Sequence, residues 1–161
     1  MKKYLLIIGI FVLVIFGILI KVYVTAVDPI KVAEKKTMSL AKEKGHLSEV
    51  DDFHVYHGPK KEDKTVDVIE GKNKKGEKVI VWMEEKSKKV TVRKAKNGVS
   101  KNEAVQVLLK DQNPKKIISV RLGIIEKTPV WEIYYRSNGN LINYYYVNYD
   151  TGKWYKKYLN I

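Results

Sequence analysis

From Tyr4 to Ile20 the chain runs for seventeen residues without a charge, and after Lys21 the uncharged stretch resumes from Val22 to Val27. A helix of about 20 apolar residues crosses a hydrocarbon core of ~30 Å. Lys21 can lay its stem along the helix and keep its ammonium at the interface. The pattern predicts a transmembrane helix over residues 4–24, behind a short tail carrying Lys2 and Lys3. The apolar part of a cleavable signal peptide is shorter, ~7–15 residues. A retained anchor is therefore expected, although Val24-Thr25-Ala26 resembles a cleavage site. Lys31, Lys35 and Lys36 lie beyond the run, so lysines flank both of its ends. Counting charges leaves the orientation open. An early anchor ahead of a compact domain favours a cytoplasmic N-terminus and an extracytoplasmic remainder.

Beyond residue 27 the pattern changes twice to the same order. Asp28 and Pro29 suit the N-cap and first position of a helix, and Gly45 suits its end. The segments DFHVYHG, KTVDVIEGK, EKVIVWME and KVTVRKA then read as strands, separated by the turn signals GPKKEDK and NKKG. At NGVSKNEAVQVLLKD the order restarts. Ser100 and Glu103 have capping-box spacing, and Val105, Leu108 and Leu109 make an apolar helix face. KKIISVRLG, PVWEIYYR, LINYYYVNY and KWYKKYL follow as strands. The two series superpose at an offset of 64 without a gap, placing Phe53 on Ile117, Val66 on Val130, Ile69 on Ile133 and Ser87–Val90 on Thr151–Trp154. The expectation is an α+β chain of three parts: tail and anchor over 1–27, then two helix-plus-four-strand units over 28–97 and 98–161. Units of roughly 60 residues bury a modest fraction of their surface, so packing together helps both.

The last strand pair is crowded with aromatics: Tyr144, Tyr145, Tyr146, Tyr149, Trp154, Tyr155 and Tyr158. Gly152 supplies the positive φ that a short bulged hairpin needs. Alternation sends Tyr144 and Tyr146 to one face and Tyr145, Val147 and Tyr149 to the other. Parity also puts Trp154 and Tyr158 together, opposite Tyr155. Trp154 matches Val90 of the first unit and is expected in the core. Tyr155 matches Thr91 and is expected outward, where tyrosine gives an interface large area at low entropic cost. Tyr155, Tyr144 and Tyr146 are the candidate partner-binding residues.

Charge adds a further expectation. With 31 Lys and Arg against 18 Asp and Glu the net charge is +13, which attracts anionic lipid or wall polymer. Lys and Glu are interspersed in KKTMSLAKEKG, however, as on a solvated surface. No nucleic-acid-binding signature accompanies the charge. Cysteine is absent, which excludes disulfides and thiolate chemistry. His54 and His57 point to opposite faces of a strand, a poor arrangement for a shared metal. Glu84-Glu85 and Glu62-Asp63 are adjacent and diverge, whereas catalytic carboxylates converge on one bond. Neither a nucleophile elbow nor a glycine-rich phosphate loop occurs. No catalytic residue, metal or cofactor is expected.

The anchor, the two repeats, and the stretches KKGEKVIVWMEEKSKKV, NGVSKNEAVQVLLKD and VNYDTGKWYK resemble the TseB/YpmB-like family of cell-wall elongation regulators. The YDTGK hairpin is similar to the ending of PepSY domains, to which that family is related. The resemblance covers nearly the whole chain. It implies a single-pass membrane protein of Gram-positive type with two PepSY-like, cystatin-like units outside the cytoplasmic membrane. It also implies a protein partner in the wall-synthesis machinery, a class B penicillin-binding protein being the candidate. The alternative, from the association of PepSY domains with protease propeptides, is an inhibitor of an extracytoplasmic protease or wall hydrolase. The short AKNGVS junction offers no inserted loop for that role.

Overall fold

The computed structural model describes the backbone of residues 2–59 and 65–160, with the side chains of residues 2, 4–8, 26–34 and 36 outside that description. Contacts divide the chain into two compact units, Met1–Ser39 and Leu40–Ile161.

The first unit is helical. It lies within α1, which runs from Lys2 to Gly45. The expected restart at Asp28-Pro29 does not occur: helical backbone passes straight through both residues. Pro29 lacks an N–H and cannot bond the carbonyl four residues back, yet the backbone is helical on both sides of it. Ile10, Phe11, Leu13, Phe16 and Leu19 are large, apolar and exposed along α1. Among the described residues no helix is long and apolar enough to cross a membrane, and the side chains of Tyr4–Ile8, which open the uncharged run, lie outside them.

The second unit holds two repeats. The first combines the end of α1 with β1 (Leu47–His57), β2 (Thr65–Asn73), β3 (Lys78–Glu84) and β4 (Val90–Lys94). The second combines α2 (Lys101–Asp111) with β5 (Lys116–Ile125), β6 (Thr128–Arg136), β7 (Ile142–Asn148) and β8 (Trp154–Tyr158). Each set of strands is a four-stranded antiparallel meander in chain order. The capping box forms: Ser100 Oγ accepts from the Glu103 N–H, and the Ser100 N–H donates to Glu103 Oε2 at 2.7 Å.

The turns repeat as closely as the strands. Gly76 and Asn140, 64 residues apart, have φ of +74° and +61°; Lys88 and Gly152, also 64 apart, have +53° and +67°. Each pair occupies the same left-handed position of its hairpin. The offset slips by one in β8 after Trp154, where Lys156 and not Tyr155 matches Thr91, and it fails at the first strand. Tyr56 pairs with Val66 while Gly123 pairs with Val130, so Tyr56 corresponds to Gly123 and Phe53 to Val120, not to Ile117. The stretch from Tyr56 to Val66 is three residues longer than that from Gly123 to Val130, which absorbs the difference. That longer connection includes most of GPKKEDK and the Glu62-Asp63 pair, which lie outside the described residues.

Each sheet has one face under its helix. In the first repeat Ala41 of α1 packs with Leu47, Ile69, Val79 and Val81. In the second, Ala104 and Leu108 of α2 pack with Ile133, Tyr135, Tyr145 and Val147. The other face of the first sheet, with Val66, Val68, Ile80 and Trp82, joins that same second core. A single hydrophobic core therefore welds the repeats. Polar contacts close its rim: Arg93 grips Asp150 with Nε to Oδ1 at 2.9 Å and a second nitrogen to Oδ2 at 3.2 Å, Trp131 Nε1 donates to Val99 O at 2.8 Å, and Tyr149 Oη donates to Ala95 O at 3.2 Å.

Candidate interaction face

The two sheets differ in what covers the face away from the helix. In the first sheet that face is sealed by the second repeat: Ile80 is 4% exposed and Trp82 1%. The matching positions of the second sheet are Tyr144 and Tyr146, and their face carries only a small cluster of Ile125, Val130 and Tyr146, bordered by the half-buried Tyr144, Tyr155 and Tyr158. Aromatic residues thus stand where the first sheet has aliphatic ones and a tryptophan.

A buried carboxylate organises this face. Glu132 lies mid-strand on β6 and its side chain is 3% exposed. Arg121, opposite it on β5, donates from Nε and from a terminal nitrogen to Oε1, both at 2.8 Å. The hydroxyls of Tyr56 and Tyr146 each donate to Oε2 at 3.1 Å. Four donors serve two oxygens, the condition under which a buried charge is tolerated. Tyr56 arrives from the first repeat: its ring lies against Gly123, where an added Cβ would sit 2.5 Å from the ring. The Arg121 guanidinium lies 5.6 Å from the centre of that ring. Burial, and then the charge of Glu132, push the Tyr146 hydroxyl well above the usual tyrosine range, so it remains a donor at any physiological pH.

Around this hub the aromatics are locked together. Tyr134 and Tyr144 stack at 4.9 Å, and Tyr158 meets Tyr146 edge-on at 5.9 Å. Lys156 lies 5.3 Å from the Tyr158 ring centre and 3.7 Å from Glu126, to which Tyr155 Oη donates at 3.4 Å. The result is a half-exposed tyrosine surface with side chains fixed in advance, so little rotamer freedom remains to be lost on binding.

The candidate residues separate here. Tyr144 and Tyr155 are on this face and half-exposed. Tyr146 is on the same face but 2% exposed, closed off by Tyr56, Tyr158 and Glu132, so its side chain is buried beneath that surface. Trp154 is a correction. It takes the helix side of the sheet, as its match to Val90 implied, but it is 54% exposed. β8 is an edge strand and α2 does not reach over its first residue. The pairing skips from Tyr146–Lys156 to Val147–Trp154, a bulge at Tyr155. The bulge breaks parity, so Tyr155 and Tyr158 share the open face and Trp154 lies opposite both.

The histidines diverge as their spacing implied, but His54 also has a structural role. Its Nε2–H donates to Leu122 O at 3.0 Å, tying β1 to β5, whereas His57 Nδ1 lies 3.3 Å from Thr65 Oγ1. Sequence reasoning did not single out Glu132 or Arg121. The available signal was an acidic residue centred in PVWEIYYR, a strand otherwise apolar on both faces.

A family model described as "Cell wall elongation regulator TseB-like domain" matches residues 36–84, covering the end of α1 through β3. The chain is 26% identical over 149 residues to the "Probable cell wall elongation regulator TseB" of Bacillus subtilis (strain 168), covering 87% of this chain and 90% of that protein. Its fold is similar to the solved structure of the YpmB protein from Bacillus subtilis, with a TM-score of 0.71 and 25% identity over 78% of this chain and 95% of that one.

Proposed function

We propose, from the premise that the chain belongs to the TseB/YpmB-like family, that it is a non-catalytic regulator of cell-wall elongation. It works by holding a protein of the wall-synthesis machinery against the open face of its second sheet. The observation that carries this reading is the asymmetry between the sheets. The equivalent face of the first sheet is buried by the second repeat, while Tyr134, Tyr144, Tyr155 and Tyr158 of the second sheet remain half-exposed. Partly exposed tyrosines clustered on a rigid sheet are the composition of a protein interface.

Residues 4–24 anchor the chain, with the N-terminus cytoplasmic and both repeats outside. The exposed apolar side chains of α1, Phe11 and Leu13 among them, support this placement. A class B penicillin-binding protein is the partner class most in keeping with the family. The excess positive charge favours contact with anionic lipid or wall polymer close to that partner.

Photo-crosslinking in intact cells tests the reading. A crosslinkable amino acid at Tyr144 or Tyr155 should capture a wall-synthesis protein, and one at the exposed Lys101 on α2 should not. Equal capture from all three positions, or capture from Lys101 alone, would remove the face from the mechanism.

A further inference from the structure

Trp154 is the one tryptophan of three that stands in solvent: Trp82 is 1% exposed and Trp131 8%, against 54%. It lies on the helix side of β8, away from the tyrosine face. There it borders an open concavity of about 520 Å³ with Val107, Lys110, Asp111, Tyr145 and Lys157. Lys157 Nζ lies 3.1 Å from Asp111 Oδ2 and 6.0 Å from the indole centre. Gln112 Nε2 also donates to Asp111 Oδ2, at 3.2 Å.

Two features of this site work against stability. An exposed indole leaves a large apolar area in water. A carboxylate on the last residue of α2 sits at the negative end of the helix dipole. Residues that break local rules in this way mark functional positions. The first repeat has neither: Val90, the match of Trp154, packs into its core, and α1 ends on Gly45.

We propose that this concavity is a carbohydrate site. The indole of Trp154 stacks on the apolar C–H face of a pyranose ring, and the Asp111–Lys157 pair hydrogen-bonds the hydroxyls at the ring edge. A sugar ring presents a flat apolar patch bordered by groups that both donate and accept. Ionised Asp111 only accepts and Lys157 only donates, so together they match a pair of neighbouring hydroxyls. The Lys157 hydrogen bond, followed by that of Gln112, holds the Asp111 carboxyl below its usual range and keeps it an acceptor. The two charges of the pair cancel, and Lys110 leaves the site slightly positive. That balance suits a neutral or carboxylate-bearing glycan. A nucleic-acid strand needs cations tracking successive phosphates, and this concavity offers two lysines beside a carboxylate. The site is separate from the tyrosine face, so its fate is independent of the proposed protein partner.

Intrinsic fluorescence provides the test. Trp82 and Trp131 are buried, so a ligand at the surface should perturb Trp154 alone. The full chain in detergent micelles is titrated with chitotetraose, a tetramer of N-acetylglucosamine. A saturable change in tryptophan emission is expected. Trp154→Ala should abolish the change while the circular dichroism spectrum and melting temperature stay as they were. Asp111→Ala, read by the same emission, should weaken the apparent affinity by roughly tenfold, the scale of losing a charge-assisted hydrogen bond. Absence of a saturable change at millimolar sugar overturns the proposal. So does a response that survives in Trp154→Ala, since the stacking ring would then lie elsewhere.

Discussion

The Tyr56 hydroxyl donates to Glu132 Oε2 at 3.1 Å, although one residue belongs to the first repeat and the other to the second. To reach it, the Tyr56 ring passes over Gly123 on the edge strand β5. An alanine there would place its Cβ 2.5 Å from the ring. Gly123→Ala should therefore lower stability by about 1–3 kcal/mol through overpacking. Tyr56→Phe should cost about 1–2 kcal/mol by leaving a buried carboxylate one donor short. Denaturant midpoints of the two single variants and the double variant form a cycle. Because Gly123→Ala already displaces the ring, the double variant should fall short of additivity. Strict additivity would mean that the two residues do not act together.

A second prediction concerns the last hairpin. Gly152 has φ of +67°, its N–H donates to Asn148 O at 2.9 Å, and an added Cβ would lie 2.8 Å from Val99. Gly152→Val combines backbone strain with that clash and should cost about 1–3 kcal/mol. An unchanged melting temperature would contradict the turn geometry.

Burial separates the tryptophans. Trp82, 1% exposed and edge-on to Tyr149 at 5.4 Å, fills the core shared by the repeats. Trp82→Ala should cost about 3–5 kcal/mol. Trp154→Ala, at an exposed edge position, should stay within about 1 kcal/mol of the parent. The order of the two melting temperatures decides the point: a larger loss at Trp154 would place it inside.

These cases also show what the chain made readable. Strand alternation and turn residues located the hairpins, because Gly76 and Gly152 mark positions that only a few residues tolerate. The repeat offset held through the central strands, failed at Phe53, where the stretch from Tyr56 to Val66 is three residues longer than that from Gly123 to Val130, and slipped by one after the bulge at Tyr155. Parity correctly paired Tyr144 with Tyr146, but it could not show that Tyr56 would cross from the other repeat and bury Tyr146. The bulge at Tyr155 is a register event between two strands, with no mark in either strand alone. It moved Tyr158 to the face opposite Trp154, while Tyr155 stayed opposite Trp154 as parity had placed it. The Glu132 hub depends on contacts between repeats, which local periodicity does not encode.

Acid should weaken one surface cluster in a defined window. Glu77 Oε2 accepts from Asn73 Nδ2 at 2.9 Å, and its oxygens also meet Lys94 at 2.9 Å and Lys96 at 3.2 Å. The Asn73 hydrogen bond first, and then the two lysines, lower its pKa from the ordinary 4.5 to about 2. A group depressed on folding stabilises the native state above its unfolded pKa, and that contribution disappears as pH falls through the folded value. The melting-temperature gap between the parent and Glu77→Gln should therefore be widest near neutral pH and close between about pH 4.5 and 2. Glu77 and its lysine partners are solvent-accessible, Glu77 in part, so salt should narrow the gap as well. A gap that is constant with pH would mean that the carboxylate charge contributes nothing to the difference.

The membrane placement leads to the last prediction. Phe11, Leu13, Phe16 and Leu19 are 64%, 71%, 62% and 60% exposed along α1. Apolar side chains on successive sides of a helix cannot all be covered by one packed neighbour, whereas lipid covers every side at once. The full chain should therefore remain with the membrane fraction through alkaline carbonate extraction, which strips peripheral proteins. Phe16→Lys should weaken that retention, since a charge near the middle of a spanning helix costs about 2.5–3.5 kcal/mol on insertion scales. On the proposal that the anchor is retained, N-terminal sequencing should start at or near Met1; a start at Val27 would mean cleavage after Ala26. Protease added to protoplasts should degrade residues 28–161. If those residues stay protected while a known external protein is cut, both repeats face the cytoplasm and the proposed orientation is reversed.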